Sequence, residues 1–167
     1  MMQKGVEIIG CRGKIQSVEN FIKKAKEFLG KEDAILQFID ADKILGKEHI
    51  YSAIEHAERS FERGDNISAT KAMEILIYTA CEPQINNALA KVGLKDGCEK
   101  IAMIIDGNVD LQGLLLYLNI KRDDKVLELN DLKLREFGIS GEEISAVKKD
   151  KIKDLILERV AMVDVKK

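Results

Sequence analysis

The sequence predicts a mixed α/β fold: a small central sheet of three to four strands, flanked by several helices, in a single domain over residues 1–167. Three short β-branched runs, residues 6–10, 34–39 and 100–105, are bounded by glycine, alanine or aspartate and read as strands. Between and after them lie stretches whose apolar residues recur at helical spacing. The composition fits a folded chain: 46% hydrophobic, 34% charged, 5% aromatic and a single proline, which favours helices around an aliphatic core. A chain of 167 residues can bury such a core without disulfides or metal.

Each element has its own signal. Val6, Ile8 and Ile9 make the first strand, closed by Gly10. Ser17 caps a helix with Val18, Phe21, Ile22, Ala25, Phe28 and Leu29 at helical spacing, and Gly30 ends it. Residues 34–39 read as a well-buried second strand, with Asp40, Ala41 and Asp42 turning out of it. In the clearest helix, Ile50, Ile54, Ala57 and Phe61 form one stripe opposite Glu55, Glu58, Arg59, Glu62 and Arg63, and Gly64 stops it. The next helix turns Ala72, Met73, Leu76, Ile77 and Ala80 inward and is ended or bent by Pro83. A short helix follows, with Ile85, Ala88, Leu89 and Val92 inward and Gly93 closing it. After the third strand, residues 111–118 are apolar nearly all round and read as a helix, with a strand as the alternative. Residues 123–129 suggest an edge strand, residues 132–137 a short helix, and residues 140–163 one long helix.

Few residues suggest chemistry. The run Gly10-Cys11-Arg12-Gly13-Lys14 lacks the spacing of a phosphate loop and its Ser or Thr, so it reads as a solvated turn. His49 and His56 stand two helical turns apart, roughly 10 Å, too far for one zinc ion, and read as surface or boundary residues. Cys11, Cys81 and Cys98 have no ligand spacing and read as buried or incidental thiols, with Glu82 raising the pKa of Cys81. Their odd number, and too short an apolar run in residues 1–10 for a secretory signal, suggest a reducing, cytoplasmic setting. No apolar run approaches the roughly 20 residues a membrane span needs. No acid, base and nucleophile assemble, so neither catalysis nor a cofactor or metal is expected; an unrecognised enzyme site is the minor alternative.

The net charge of −2 gives no global field for nucleic acid, so any such contact needs a local patch. Three basic groups stand out: Arg12, Lys14, Lys23, Lys24 and Lys26; Arg59, Arg63 and Lys71; and Lys148, Lys149, Lys151 and Lys153. Acidic residues dilute each, the pattern of a solvated face. The second group borders the turn Gly64-Asp65-Asn66-Ile67-Ser68, which leads into a helix amino terminus where free N–H groups favour an anion. Asn66 or Ser68 is the expected cap there. Arg59, Arg63, Asn66, Ser68 and Lys71 are therefore the candidate nucleic-acid residues. On the terminal helix, Ile152, Leu155, Ile156 and Arg159 are a candidate protein-docking face, with core packing as the competing reading.

The run from Arg63 to Glu74, with its Gly-x-Asn-Ile-Ser-x-Thr turn, precedes Gln84-Ile85 and a helix ending Lys91-Val92-Gly93. This combination resembles the small kinase-binding subunit of the KEOPS complex, the TPRKB-type proteins of archaea and eukaryotes, and the order of elements agrees over nearly the whole chain. The resemblance implies a mixed α/β fold and no catalysis of its own. It also implies docking on a small atypical kinase that acts as an ATPase, and binding of the 3′ CCA end of tRNA. The assembly installs threonylcarbamoyl-adenosine beside the anticodon. Arg63, Asn66 and Ser68 match the family pattern. Ala69 and Pro83 stand where members tend to carry a basic residue, and Lys71, roughly 200° round the helix from position 69, is no simple replacement. A protein-interaction module that regulates a kinase without touching RNA is the alternative.

Overall fold

The computed structural model describes residues 5–167; the first four residues of the amino-terminal stretch lie outside them. The described chain forms two compact units, each built from two separate segments.

The first unit, residues 5–42 and 93–127, holds the sheet. Its strands are β1 (Val6–Arg12), β2 (Ile35–Asp40), β3 (Lys100–Asp106) and β4 (Lys121–Arg122), in the order β2-β3-β1-β4. All neighbours are antiparallel, with Ile8 opposite Ile104 and Phe38 opposite Met103. Helices α1 (Val18–Leu29) and α5 (Leu111–Leu118) belong to this unit. Phe21 and Ala25 from α1 and Leu114 and Leu118 from α5 join Ile9, Phe38, Ile101, Met103 and Ile105 in one apolar cluster. Phe21 meets Phe38 edge to face at 4.8 Å. The opposite face of the sheet, including Ile8, Ile39 and Ile104, is buried as well. That is why the strands read as continuous apolar runs rather than as alternating ones.

Two expectations change here. Residues 10–14 are not a solvated turn, because β1 continues to Arg12 and Cys11 is fully buried. Residues 123–129 are not an edge strand: the pairing is at Lys121–Arg122, and Asp124–Leu127 is a 3-10 turn. The Asp123 carboxylate accepts the Lys125 N–H at 3.1 Å, a local bond that competes with a strand ladder. Gly10 is the reason the turn can sit so close. A Cβ there would come within 2.6 Å of the Asp123 carbonyl oxygen and of Val126.

The second unit, residues 43–92 and 128–167, is helical. It contains α2 (Lys47–Arg63), α3 (Lys71–Ala80), α4 (Ile85–Val92), α6 (Asp131–Phe137), α7 (Gly141–Ala146), α8 (Ile152–Ala161) and α9 (Val163–Lys166). Helix α3 packs on α2, α4 and α8, and every residue from Glu74 to Ala80 is buried. The expected inward stripe is thus too narrow: Ala72 and Met73 are half-buried and the last two turns are enclosed all round. The helix stops at Cys81, in left-handed backbone at φ 59°, before Pro83 is reached.

The single long terminal helix is broken into α7, a 3-10 turn, α8 and α9. Val147 and Lys148 are extended, and Lys148-Lys149-Asp150-Lys151 offers no apolar side chain to continue the stripe. His49 is likewise no surface residue: it is 1% exposed. Its Nδ1 accepts the Leu45 N–H at 3.0 Å, so its Nε2 carries the proton and donates to the Thr79 carbonyl at 2.8 Å. Burial pushes its pKa down to about 4.

Candidate functional site

The site is the turn between α2 and α3. Gly64, at φ 75°, ends α2 in left-handed backbone and gives its N–H back to Ser60 and Phe61 carbonyls. Thr70, not Asn66 or Ser68, caps α3, its hydroxyl accepting the Met73 N–H at 3.2 Å. Asn66 and Ser68 shape the loop before the cap. The Asn66 Nδ2 donates to the Ser68 carbonyl at 2.9 Å, and the Ser68 hydroxyl lies 2.8 Å from the Thr70 carbonyl oxygen.

The anion expected at this turn is supplied from within. Glu74, one turn into α3, is 0% exposed. Its carboxylate accepts the Ile67 N–H at 3.1 Å and the Ser68 N–H at 2.9 Å. Two hydroxyls flank it, Ser60 at 2.7 Å and Ser68 at 3.0 Å. A buried carboxyl group needs such partners, and these N–H donors are thereby not free for an external anion. Glu74 was hidden in the sequence among the apolar positions of α3; its spacing of four from the cap Thr70 was the available signal.

The cations remain outside. Arg59 is exposed beside Glu55, at 3.9 Å, and Lys71 is exposed in the first turn of α3. Arg63 reaches Asp65 and Asp164, each at 3.2 Å. Its hydrogen bond to Asp65 holds its pKa above the usual value and that of Asp65 below. Asp164 also accepts the Tyr78 hydroxyl proton and lies 3.1 Å from His56 Nδ1. Burial works against ionisation of Asp164, but the Tyr78 and His56 bonds and the His56 and Arg63 charges outweigh it and lower its pKa. The His56 pKa is lowered, by burial first and then by Arg59, against the pull of Asp164. Lys167 closes the network, 2.8 Å from the Tyr78 hydroxyl and 3.1 Å from Asp65.

Of the five candidate nucleic-acid residues, Arg59, Arg63 and Lys71 are exposed cations on the two helices that border the turn, while Asn66 and Ser68 build that turn. The terminal-helix candidates divide. Ile156 is 2% exposed and packs inward, contrary to a docking role. Ile152 and Leu155 are half-buried, and Arg159 holds Glu143 with two 2.7 Å contacts. Among the described residues no group of three His, Cys, Asp or Glu side chains is placed to hold a metal, and no helix is long and apolar enough to cross a membrane. Cys81 is raised to about 11, by burial chiefly, with Glu82 the smallest contributor.

The sequence that builds this sheet unit, helical unit and turn matches a family of kinase-binding regulatory proteins. The family described as "Kinase binding protein CGI-121" matches residues 15–164, and the chain belongs to that family, the TPRKB-type proteins that its turn resembles. The regulatory protein Cgi121 of Methanocaldococcus jannaschii is 27% identical over 140 residues, covering 78% of this chain and 84% of that protein.

Proposed function

We propose that the chain is a non-catalytic adaptor of the KEOPS complex. In this reading it docks on the complex's small atypical kinase and ATPase, binds the 3′ CCA end of tRNA, and so supports threonylcarbamoyl-adenosine modification beside the anticodon. The observation that carries the RNA part is the placement of exposed Arg59, Arg63 and Lys71 around a turn whose shape is fixed by Glu74. The ion pairs of Arg59 and Arg63 do not stand in the way. Exposed pairs contribute only about 0–1 kcal/mol, so a phosphate can exchange for Asp65 or Glu55 at little cost while Arg63 keeps its Asp164 contact. Guanidinium planes can also stack on the bases of a single-stranded end.

Arg59→Glu combined with Arg63→Glu is expected to weaken binding of deacylated tRNA at least tenfold and to lower its salt dependence. Unchanged affinity removes this site. Removing the CCA end from the tRNA is expected to weaken binding of the parent chain, and equal affinity for both forms rules out the end-binding mode.

A second reading, a kinase-regulating module with no RNA contact, draws on the net charge of −2 and on the internal use of the turn's N–H donors. A pull-down asking whether the chain retains the kinase and deacylated tRNA separates the two. Retention of the kinase alone favours the second.

A further inference from the structure

The first basic group of the sequence has a place of its own in the fold. Lys14, from the connection after β1, and Lys23 and Lys24, on α1, line a cleft of about 560 Å³ that lies wholly within the sheet-bearing unit. None of the three forms an ion pair among the described residues, whereas Arg12 of the same group is tied to Asp123. Among the described residues Glu27 is the one carboxylate on the cleft, and the exposed Tyr117 hydroxyl reaches it at 3.3 Å. The amino terminus of α1 is not the source of attraction, because Asp96 takes the Val18 N–H and Ser17 takes that of Asn20. Positive potential here comes from side chains.

The rest of the cleft suits a nucleotide. The carboxamides of Gln16, Asn20 and Asn119 line it without hydrogen-bond partners among the described residues. Carboxamides both donate and accept, as base edges require. Tyr117, next in sequence to the cleft residue Leu118, is 46% exposed and its ring is braced by Phe28 at 5.6 Å. The volume falls in the range of small-ligand sites, in a cleft that stays about half open to solvent.

We propose that this cleft binds one nucleotide unit of a single-stranded RNA. The phosphate sits on Lys14, Lys23 and Lys24, the base edge meets the carboxamides, and Tyr117 offers its ring to a neighbouring base. A stretch of acidic peptide would use the lysines and pair its backbone with the carboxamides, but it has no base to lay on the Tyr117 ring. The choice of RNA rests on the reading above; the cleft itself does not.

The test uses the full chain and two fluorescent probes, deacylated tRNA and a single-stranded RNA of about eight nucleotides. Lys14→Gln, Lys23→Gln and Lys24→Gln together are expected to weaken the short RNA at least tenfold and to cut its salt slope by about 2. The melting temperature is expected to stay unchanged, since all three side chains are exposed. Tyr117→Ala is expected to weaken the same probe severalfold. Parent-like affinity of the triple variant overturns the proposal. If that variant binds normally while Arg59→Glu with Arg63→Glu loses tRNA, the cleft is wrong and the turn stands. If the triple variant fails and the arginine variant binds normally, the cleft stands and the turn is wrong. AMP and inorganic phosphate serve as competitors: displacement of the short RNA by AMP only at far higher concentration supports a strand. AMP binding that the short RNA cannot displace overturns the strand as source, and equal competition by a poly-glutamate peptide overturns the nucleotide.

Discussion

Glu74 and His49 are two titratable side chains with no access to water, and each is held by a different chemistry. Glu74→Ala would leave the buried amides of the turn without acceptors. The expected loss is about 3 kcal/mol, a fall in Tm of roughly 10 °C, with Glu74→Gln intermediate. A Tm within a degree or two of the parent would show that water replaces the carboxylate. His49 makes stability depend on pH. Its folded pKa, about 4, lies below the ordinary histidine value of about 6.5, so the unfolded chain takes up the proton first. Stability is therefore complete above pH 6.5 and falls as pH drops towards 4, by on the order of 3 kcal/mol across the window. His49→Gln is expected to be less stable at pH 7 but to lose the slope between pH 6.5 and 5; parallel curves for the two proteins would sink the assignment. Neither residue was legible beforehand for the same reason. A polar side chain within an apolar stripe announces its spacing but not the partner, distant in sequence, that justifies its burial, as Thr79 does for His49.

At the scale of elements, β1, β2, β3, α1 and α2 were readable because each carries its own strong pattern, a β-branched run or a single apolar stripe with a cap and a glycine stop. Strand β4 was not, because two residues hold no pattern and its end is decided by the Asp123 side chain. The terminal helix was overextended because Ile144 and Ile152 keep helical register across a lysine-rich break. Two substitutions probe these elements. Gly10→Ala drives a methyl against the Asp123 carbonyl and is expected to cost about 1–3 kcal/mol, read as a lower urea midpoint. An unchanged midpoint means that the turn after β4 can shift away. On α8, Ile156→Arg buries an unpaired charge and is expected to unfold the chain, whereas Leu155→Arg on the half-buried flank is expected to keep the fold. Kinase binding by the Leu155 variant then decides whether that flank docks.

The whole molecule passes from one compact unit to the other three times, so neither unit is a continuous piece of chain. Whether the two units unfold as one cooperative domain is a question that two thiols can test. Cys11 lies buried in the first unit and Cys81 in the second, with pKa values raised to about 12 and about 11, chiefly by burial. Both are expected to resist a thiol reagent at pH 8 in the native chain and to become reactive at one shared urea concentration. Separate midpoints would make the units independent. The kinase-binding family was legible from the turn and its flanking helices, and the cleft of the first basic group was not. Lysines distant in sequence from Asn119 share a cavity only once α1 and α5 are packed on the sheet.

Because the Ile67 and Ser68 amides already hold Glu74, the loop surrenders its conformational entropy once, during folding, and not at each encounter with a partner. Ordering a loop residue costs about 1–2 kcal/mol, so a free loop of this length would forfeit several orders of magnitude in affinity. Amide hydrogen exchange at Ile67 and Ser68 should accordingly be slow before any ligand is added, and binding should change it little.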